Sequence, residues 1–171
     1  MKILIMSADN FEDTELLVPY YRFKEEGMQV DVASLKKGTI KGKRGYEVAV
    51  DKTVEEIDPR EYEALILPGG KAPGILRQDT HALKIAKHFF QEDKPVSAIC
   101  HGPQILISAG LLKGRKSTSY KSVAKELKDA GAVYEDKDVV VDGNLVTSRQ
   151  PSDIPAFLRE IMKMIKRRKS I

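Results

Sequence analysis

The chain has 171 residues, 42% of them hydrophobic and 32% charged, which suits one globular domain with a core of packed layers. No apolar run approaches the roughly 20 residues a membrane-spanning helix needs. The formal net charge of +4 is concentrated at Lys163, Lys166, Arg167, Arg168 and Lys169, and the rest holds 24 basic against 25 acidic residues, a pattern that argues for a solvated helix end and against a nucleic-acid surface.

Strand and helix patterns alternate along the chain. Lys2–Ser7 reads as a buried strand, because its apolar stretch is too short for a secretory signal; the expected compartment is the cytoplasm. Residues 12–26 read as a helix with Leu16, Leu17, Tyr20 and Phe23 on one face, closed by Gly27. Pro19 is expected to kink or restart it, having no backbone N–H to donate. Residues 29–34 form the next strand. Gly38, Gly42 and Gly45, followed by alternating residues up to Val50, suggest a hairpin excursion over 38–51. Residues 64–67 make a short apolar strand stopped by Pro68-Gly69-Gly70. Helices are expected over 81–91, 103–109, 122–130 and 154–166, and a buried strand over 95–99. Residues 139–141 and 145–147 flank the turn Asp142-Gly143-Asn144, a hairpin signal. Short apolar strands separated by helices imply a mostly parallel sheet covered on both faces: one α/β domain over 1–171, a three-layer α/β/α sandwich.

The chemistry concentrates in Ala98-Ile99-Cys100-His101-Gly102-Pro103-Gln104. A buried strand runs into Cys100, and Pro103 opens a helix, where proline suits the first turn. So tight a connection leaves one residue at its apex, projecting towards solvent. This is a nucleophile elbow with cysteine in place of serine. Backbone dipoles at a helix N-terminus stabilise a thiolate, so Cys100 is expected to be a nucleophile near neutral pH. It is the only cysteine, which excludes an intrachain disulfide, and no Cys/His cluster indicates a metal. No organic cofactor is indicated either.

Other groups converge on the same edge, beyond the carboxyl ends of the strands. Glu12 follows the first strand; its carboxyl either hydrogen-bonds the sulfur or serves the helix N-terminus alongside Asp13 and Glu15. The Gly69-Gly70 pair lets backbone N–H groups approach a substrate and, with the amide after Cys100, form an oxyanion hole. His101 is the obvious base. His81 and His88 are expected at the surface, and no histidine follows residue 101, which excludes a triad whose base lies well downstream of the cysteine.

In combination, Phe11-Glu12-Asp13, Leu67-Pro68-Gly69-Gly70, Ile99-Cys100-His101-Gly102-Pro103-Gln104 and Val146-Thr147-Ser148-Arg149 resemble the PfpI intracellular protease family of the ThiJ/PfpI superfamily, in order over nearly the whole chain. The resemblance implies a flavodoxin-like sandwich of the kind class I glutamine amidotransferases share. It also implies Cys100 as nucleophile, Glu12 as its hydrogen-bonded acid and His101 as base. The amides of Gly70 and His101 would form the oxyanion hole, with Gly69 and Tyr120 lining the pocket. Homo-oligomers are implied too, a dimer or a hexamer built as a trimer of dimers. One departure stands out. Protease-type members complete the triad with an acid from a neighbouring subunit, and Gly74 stands where that acid belongs; Arg149 reads as a structural or inter-subunit salt-bridge residue. The implied activity is hydrolysis of peptides or of glyoxal and methylglyoxal adducts. The alternatives are a glyoxalase acting on free α-oxoaldehydes, or a non-enzymatic stress protein, chaperone or redox sensor, working through oxidation of Cys100.

Overall fold

A computed structural model describes residues 1–170; Ile171, the last residue of the expected domain, lies outside them. The elements in chain order are β1 (Lys2–Met6), α1 (Asp13–Glu25), β2 (Gln29–Ser34), β3 (Gly38–Lys41), β4 (Glu47–Val50), β5 (Lys52–Thr53), β6 (Ala64–Leu67), α2 (Ala72–Leu76) and α3 (Thr80–Gln91). They continue with β7 (Val96–Ile99), α4 (Pro103–Ser108), β8 (Lys116–Ser117), α5 (Ala124–Asp129), β9 (Val133–Tyr134), β10 (Val140–Asp142), β11 (Leu145–Ser148) and α6 (Ile154–Lys169).

The main sheet runs β10-β11-β7-β6-β1-β2-β5. Every neighbouring pair is parallel except the β10–β11 hairpin. β6 and β7 are buried along their whole length, as continuous apolar runs predict for strands covered on both sides. The chain steps outward from β1 to β2, then returns past β1 to β6 and on to β7 and β11. Right-handed crossovers in opposite directions place their helices on opposite faces. α1 and α6 pack together, while α3 lies against β6 and β7 beside α4, itself flanked by α2 and α5. This gives the three-layer sandwich, and its strand order β2-β1-β6-β7-β11 is the flavodoxin-like one. Between β1 and β6, where the order reverses, a crevice opens beyond the strand ends.

α1 runs through Pro19 without interruption. Burial of Leu16, Pro19 and Phe23 on its inner face offsets the missing backbone donor, so the expected restart does not occur. The helix expected over 122–130 begins instead as a 3-10 turn, Lys121–Val123, leading into α5. The hairpin excursion is present as antiparallel β3 and β4. The last helix reaches Lys169, and its four terminal basic residues suit the negative end of the helix dipole. Among the described residues no helix is long and apolar enough to cross a membrane.

Candidate active site

The loops after β1 and β6 and the β3–β4 hairpin are stitched together through their backbones. Phe11 and Gly70 form an isolated antiparallel bridge, and Glu12 N–H donates to the Gly69 carbonyl at 3.2 Å. Lys71 N–H donates to Asn10 at 2.8 Å, and Lys43 N–H, from the β3–β4 hairpin, donates to Phe11 at 2.9 Å. The carboxylate of Asp13 accepts from the N–H groups of Arg44 at 2.9 Å and Tyr46 at 3.1 Å, fixing the hairpin tip over the crevice.

Cys100 occupies the bend between β7 and α4 with φ of 63°, a left-handed conformation that a non-glycine residue adopts at a cost of roughly 1–2 kcal/mol. The bend is held on both sides. Cys100 N–H donates to Ser148 at 3.1 Å, and its carbonyl accepts from Tyr120 N–H at 3.0 Å. Gly102 is required beneath it, because a Cβ there would lie 2.3 Å from the Leu67 carbonyl. The elbow expected from the sequence is therefore present, but its side chain does not project into solvent. Cys100 is only 8% exposed and forms part of the floor of a cleft of about 570 Å3. Glu12, Lys43, Arg44, Lys71, His101 and Tyr120 share the lining.

The acid that meets the sulfur is Glu15, one helical turn beyond the residue expected. Glu15 is fully buried beside Cys100; its Oε1 accepts from Gly69 N–H at 2.9 Å, and its Oε2 has no hydrogen-bond partner. A Cβ on Gly69 would lie 2.5 Å from Glu15 Oε1 and 2.6 Å from Cys100 Cβ, so glycine there lets carboxyl and thiol close together. Glu12 instead turns to the cations of the hairpin, with Oε2 3.2 Å from Lys43 Nζ and Oε1 3.6 Å from Arg44 Nε. The physical reason lies in the helix. Glu12 is the N-cap and faces the cleft, whereas Glu15 lies on the inner stripe with Leu16, Pro19 and Phe23.

Electrostatics follow from this burial. Glu15 is pushed up to about 8, chiefly by desolvation and against the pull of the Gly69 N–H, so it carries its proton at neutral pH. Burial pushes the Cys100 thiol up to about 12; Glu15, once ionised above about 8, and Glu12 act in the same direction, and the N–H groups of Gly70 and His101 pull it down. The expectation of a resting thiolate set by helix dipoles is thus corrected: desolvation outweighs the two backbone donors, and the thiol keeps its proton until a base removes it. A protonated Glu15 removes the repulsion its charge would exert and offers a donor as the thiolate forms.

His101 Nδ1 lies 3.2 Å from Cys100 Sγ, within reach of that proton. Burial holds His101 below its usual value, with the charge of Lys43 adding to the effect and Glu126 opposing it, so the ring is neutral and able to accept. Its ring lies against Tyr120, with centroids 5.3 Å apart. Gly70 has φ of 81°, and a Cβ there would sit 2.4 Å from both the Asn10 carbonyl oxygen and Glu12 N, so the loop that brings its N–H near Cys100 holds a conformation only glycine tolerates. Gly69 lies under the sulfur rather than in the open lining. Gly74 does line the cleft.

Arg149 has its partners within the chain: its guanidinium bonds both carboxylate oxygens of Asp153, at 2.9 and 3.1 Å, and Asp136 at 3.0 Å. His81 is exposed as expected, whereas His88 is half-buried. No group of three or more His, Cys, Asp or Glu residues is placed to hold a metal among the described residues. Sequence reading missed Glu15, although one signal was available: an acid in the apolar stripe of a helix. Lys43, Arg44 and Lys71 were also missed, since only the loop stitching brings them to the cleft.

The family model described as DJ-1/PfpI matches residues 1–164. The chain belongs to the DJ-1/PfpI family. It is 55% identical over 166 residues to a Pyrococcus furiosus protein named Deglycase PfpI, covering 97% of this chain and 100% of that one. It is 44% identical to the Escherichia coli Protein/nucleic acid deglycase 2, covering 96% of this chain and 97% of that one. Among solved structures, the fold is similar to a two-domain Anabaena variabilis protein containing DJ-1/ThiJ/PfpI-like and ferritin-like domains. The TM-score is 0.95 at 36% identity, and the match covers 96% of this chain and 48% of that one.

Proposed function

We propose that this DJ-1/PfpI protein is a cysteine hydrolase acting as a deglycase on glyoxal and methylglyoxal adducts of amines and thiols, with peptides as a slower substrate. The observation that carries the reading is a cysteine held at a left-handed elbow, with a basic nitrogen 3.2 Å from its sulfur. Similarity to proteins named as deglycases supports the substrate class.

The residues divide the work as follows. Loss of the amine or thiol from the carbinol carbon of the adduct frees its aldehyde, and His101 Nδ1 takes the thiol proton as Sγ adds to that carbonyl; an S–C bond forms and the carbonyl electron pair moves to oxygen. The Gly70 and His101 amides, on the loops beside Cys100, stabilise that oxyanion. Protonated Glu15 stabilises the developing negative charge on sulfur. Transfer of the proton on the sulfur-bound carbon to the neighbouring carbonyl carbon, through an enediolate, turns the hemithioacetal into an acyl-enzyme. Water then releases a hydroxy acid and restores the thiol. The net reaction consumes one water and requires no external oxidant.

Cys100→Ser is expected to abolish release of free amine from a methylglyoxal-modified peptide while the fold, read by far-UV circular dichroism, survives. Wild-type turnover in that variant would overturn the reading. So would negligible turnover by the reduced wild type with peroxide adding oxygen mass only at Cys100, the result a redox sensor would give.

A homo-oligomer, dimer or trimer of dimers, belongs to the same proposal. Tyr21 on α1 is exposed beside Tyr46 of the hairpin, with Val18 exposed on the same helix, and these exposed apolar side chains support a face for a second copy.

A further inference from the structure

The base in this mechanism has an unusual support, and the inference rests on the reading of His101 as that base. A neutral imidazole carries one N–H and one bare nitrogen. To take the thiol proton, Nδ1 must be bare, so the hydrogen must sit on Nε2, and an acceptor at Nε2 selects that tautomer. A histidine without such a partner loses much of its power as a base. Position 74 provides none: it is glycine, and an added Cβ there would have no neighbour within 4 Å.

We propose that Ser122 is the positioning residue for His101, completing a Cys100–His101–Ser122 chain within one subunit. Ser122 Oγ lies 3.3 Å from His101 Nε2, on the side of the ring opposite the sulfur. The seat of Ser122 is fixed by backbone. It sits in the 3-10 turn Lys121–Val123, which starts directly after Tyr120; Tyr120 N–H is bonded to the Cys100 carbonyl at 3.0 Å, and Val123 N–H closes the turn on Tyr120 at 2.9 Å. Val123 is buried beneath while Ser122 is exposed, so the hydroxyl is presented to the ring without being needed for packing.

The nearby carboxylate does not take this role. Glu126 is held by Arg77 and accepts from Gln104 Nε2 at 3.3 Å. It acts on His101 only through its charge, as Lys43 does with opposite sign. The remaining groups facing the ring are the Cys100 thiol and Tyr120, with Glu12, Arg44 and Lys71 further along the cleft.

The test uses the purified full-length protein and a methylglyoxal-modified peptide, with kcat, KM, the pH profile and thermal unfolding measured for Ser122→Ala, Ser122→Thr and Ser122→Asp. Losing one ordinary hydrogen bond predicts a roughly three- to tenfold fall in kcat for Ser122→Ala, with KM and melting temperature unchanged. Ser122→Thr retains the hydroxyl and is expected within about twofold of wild type. Ser122→Asp places a charge against the ring, which raises the His101 pKa and moves the ascending limb of the profile up by about one pH unit. Wild-type kcat and profile in Ser122→Ala, with Cys100→Ser inactive, would sink the Ser122 assignment and leave the hydrolase reading intact. Equal losses in Ala and Thr accompanied by a lower melting temperature would mean a structural role and also overturn it. Activity in Cys100→Ser would instead remove the hydrolase reading itself.

Discussion

Glu15→Gln isolates the electrostatic consequence of burying an acid beneath the nucleophile. Glutamine keeps an oxygen to accept the Gly69 N–H, now 2.9 Å from Oε1, and removes the titration. In the unfolded chain the glutamate loses its proton near 4.5, whereas in the fold it holds it until about 8. Between those values the folded state binds more protons than the unfolded state, so stability falls as pH rises. The stabilisation from proton binding is fully present below about 4.5 and lost as pH rises through about 8. At about 1.4 kcal/mol per pH unit, this removes on the order of 5 kcal/mol from the wild type across that window. Guanidinium unfolding of both proteins at pH 4.5, 6, 7.5 and 9 reads it directly. The difference in unfolding free energy, variant minus wild type, is expected to grow with pH by about 5 kcal/mol and then level off. A difference flat to within about 1 kcal/mol would show that Glu15 is ionised in the native state, and the argument for a protonated acid beside the sulfur would fail.

The remaining predictions concern packing. Gly69→Ala drives a methyl to 2.5 Å from the Glu15 carboxylate and 2.6 Å from Cys100 Cβ. It is expected to destabilise by about 1–3 kcal/mol and to lower turnover at least tenfold, by parting acid from thiol; wild-type melting and turnover would contradict this. Arg149→Ala leaves the buried Asp153 with only its backbone contact to Arg149 N–H at 3.0 Å. A loss of about 1–3 kcal/mol in chemical denaturation is expected, with kcat unchanged at temperatures where the variant stays folded. A loss of kcat under those conditions would mean that Arg149 reaches the site.

Much of the architecture was legible in the chain because burial writes itself into periodicity. Ala64–Leu67 and Val96–Ile99 are apolar at every position, which a strand covered on both faces requires. The elbow was legible from Ile99-Cys100-His101-Gly102-Pro103, since a strand, a close-approach glycine and a helix-opening proline leave the chain few other conformations. The two-residue strands β8 and β9 were not: Lys116–Ser117 and Val133–Tyr134 pair with one another and carry too few residues to show a period.

The amino-acid order alone determined the elbow that carries Cys100 and which edge of the sheet holds it, because both follow from local rules acting within a dozen residues. Only the tertiary structure decided its chemistry. Glu12 and Glu15 look alike in the sequence, and one helical turn sends the first to Lys43 and Arg44 and the second beneath the sulfur. Solvation decided the rest: desolvation in the closed floor of the cleft keeps both acid and thiol protonated, and turns a thiolate expected from backbone dipoles into a thiol beside the His101 ring. Desolvation is a sum over every atom that excludes water from a point, and no stretch of sequence contains that sum.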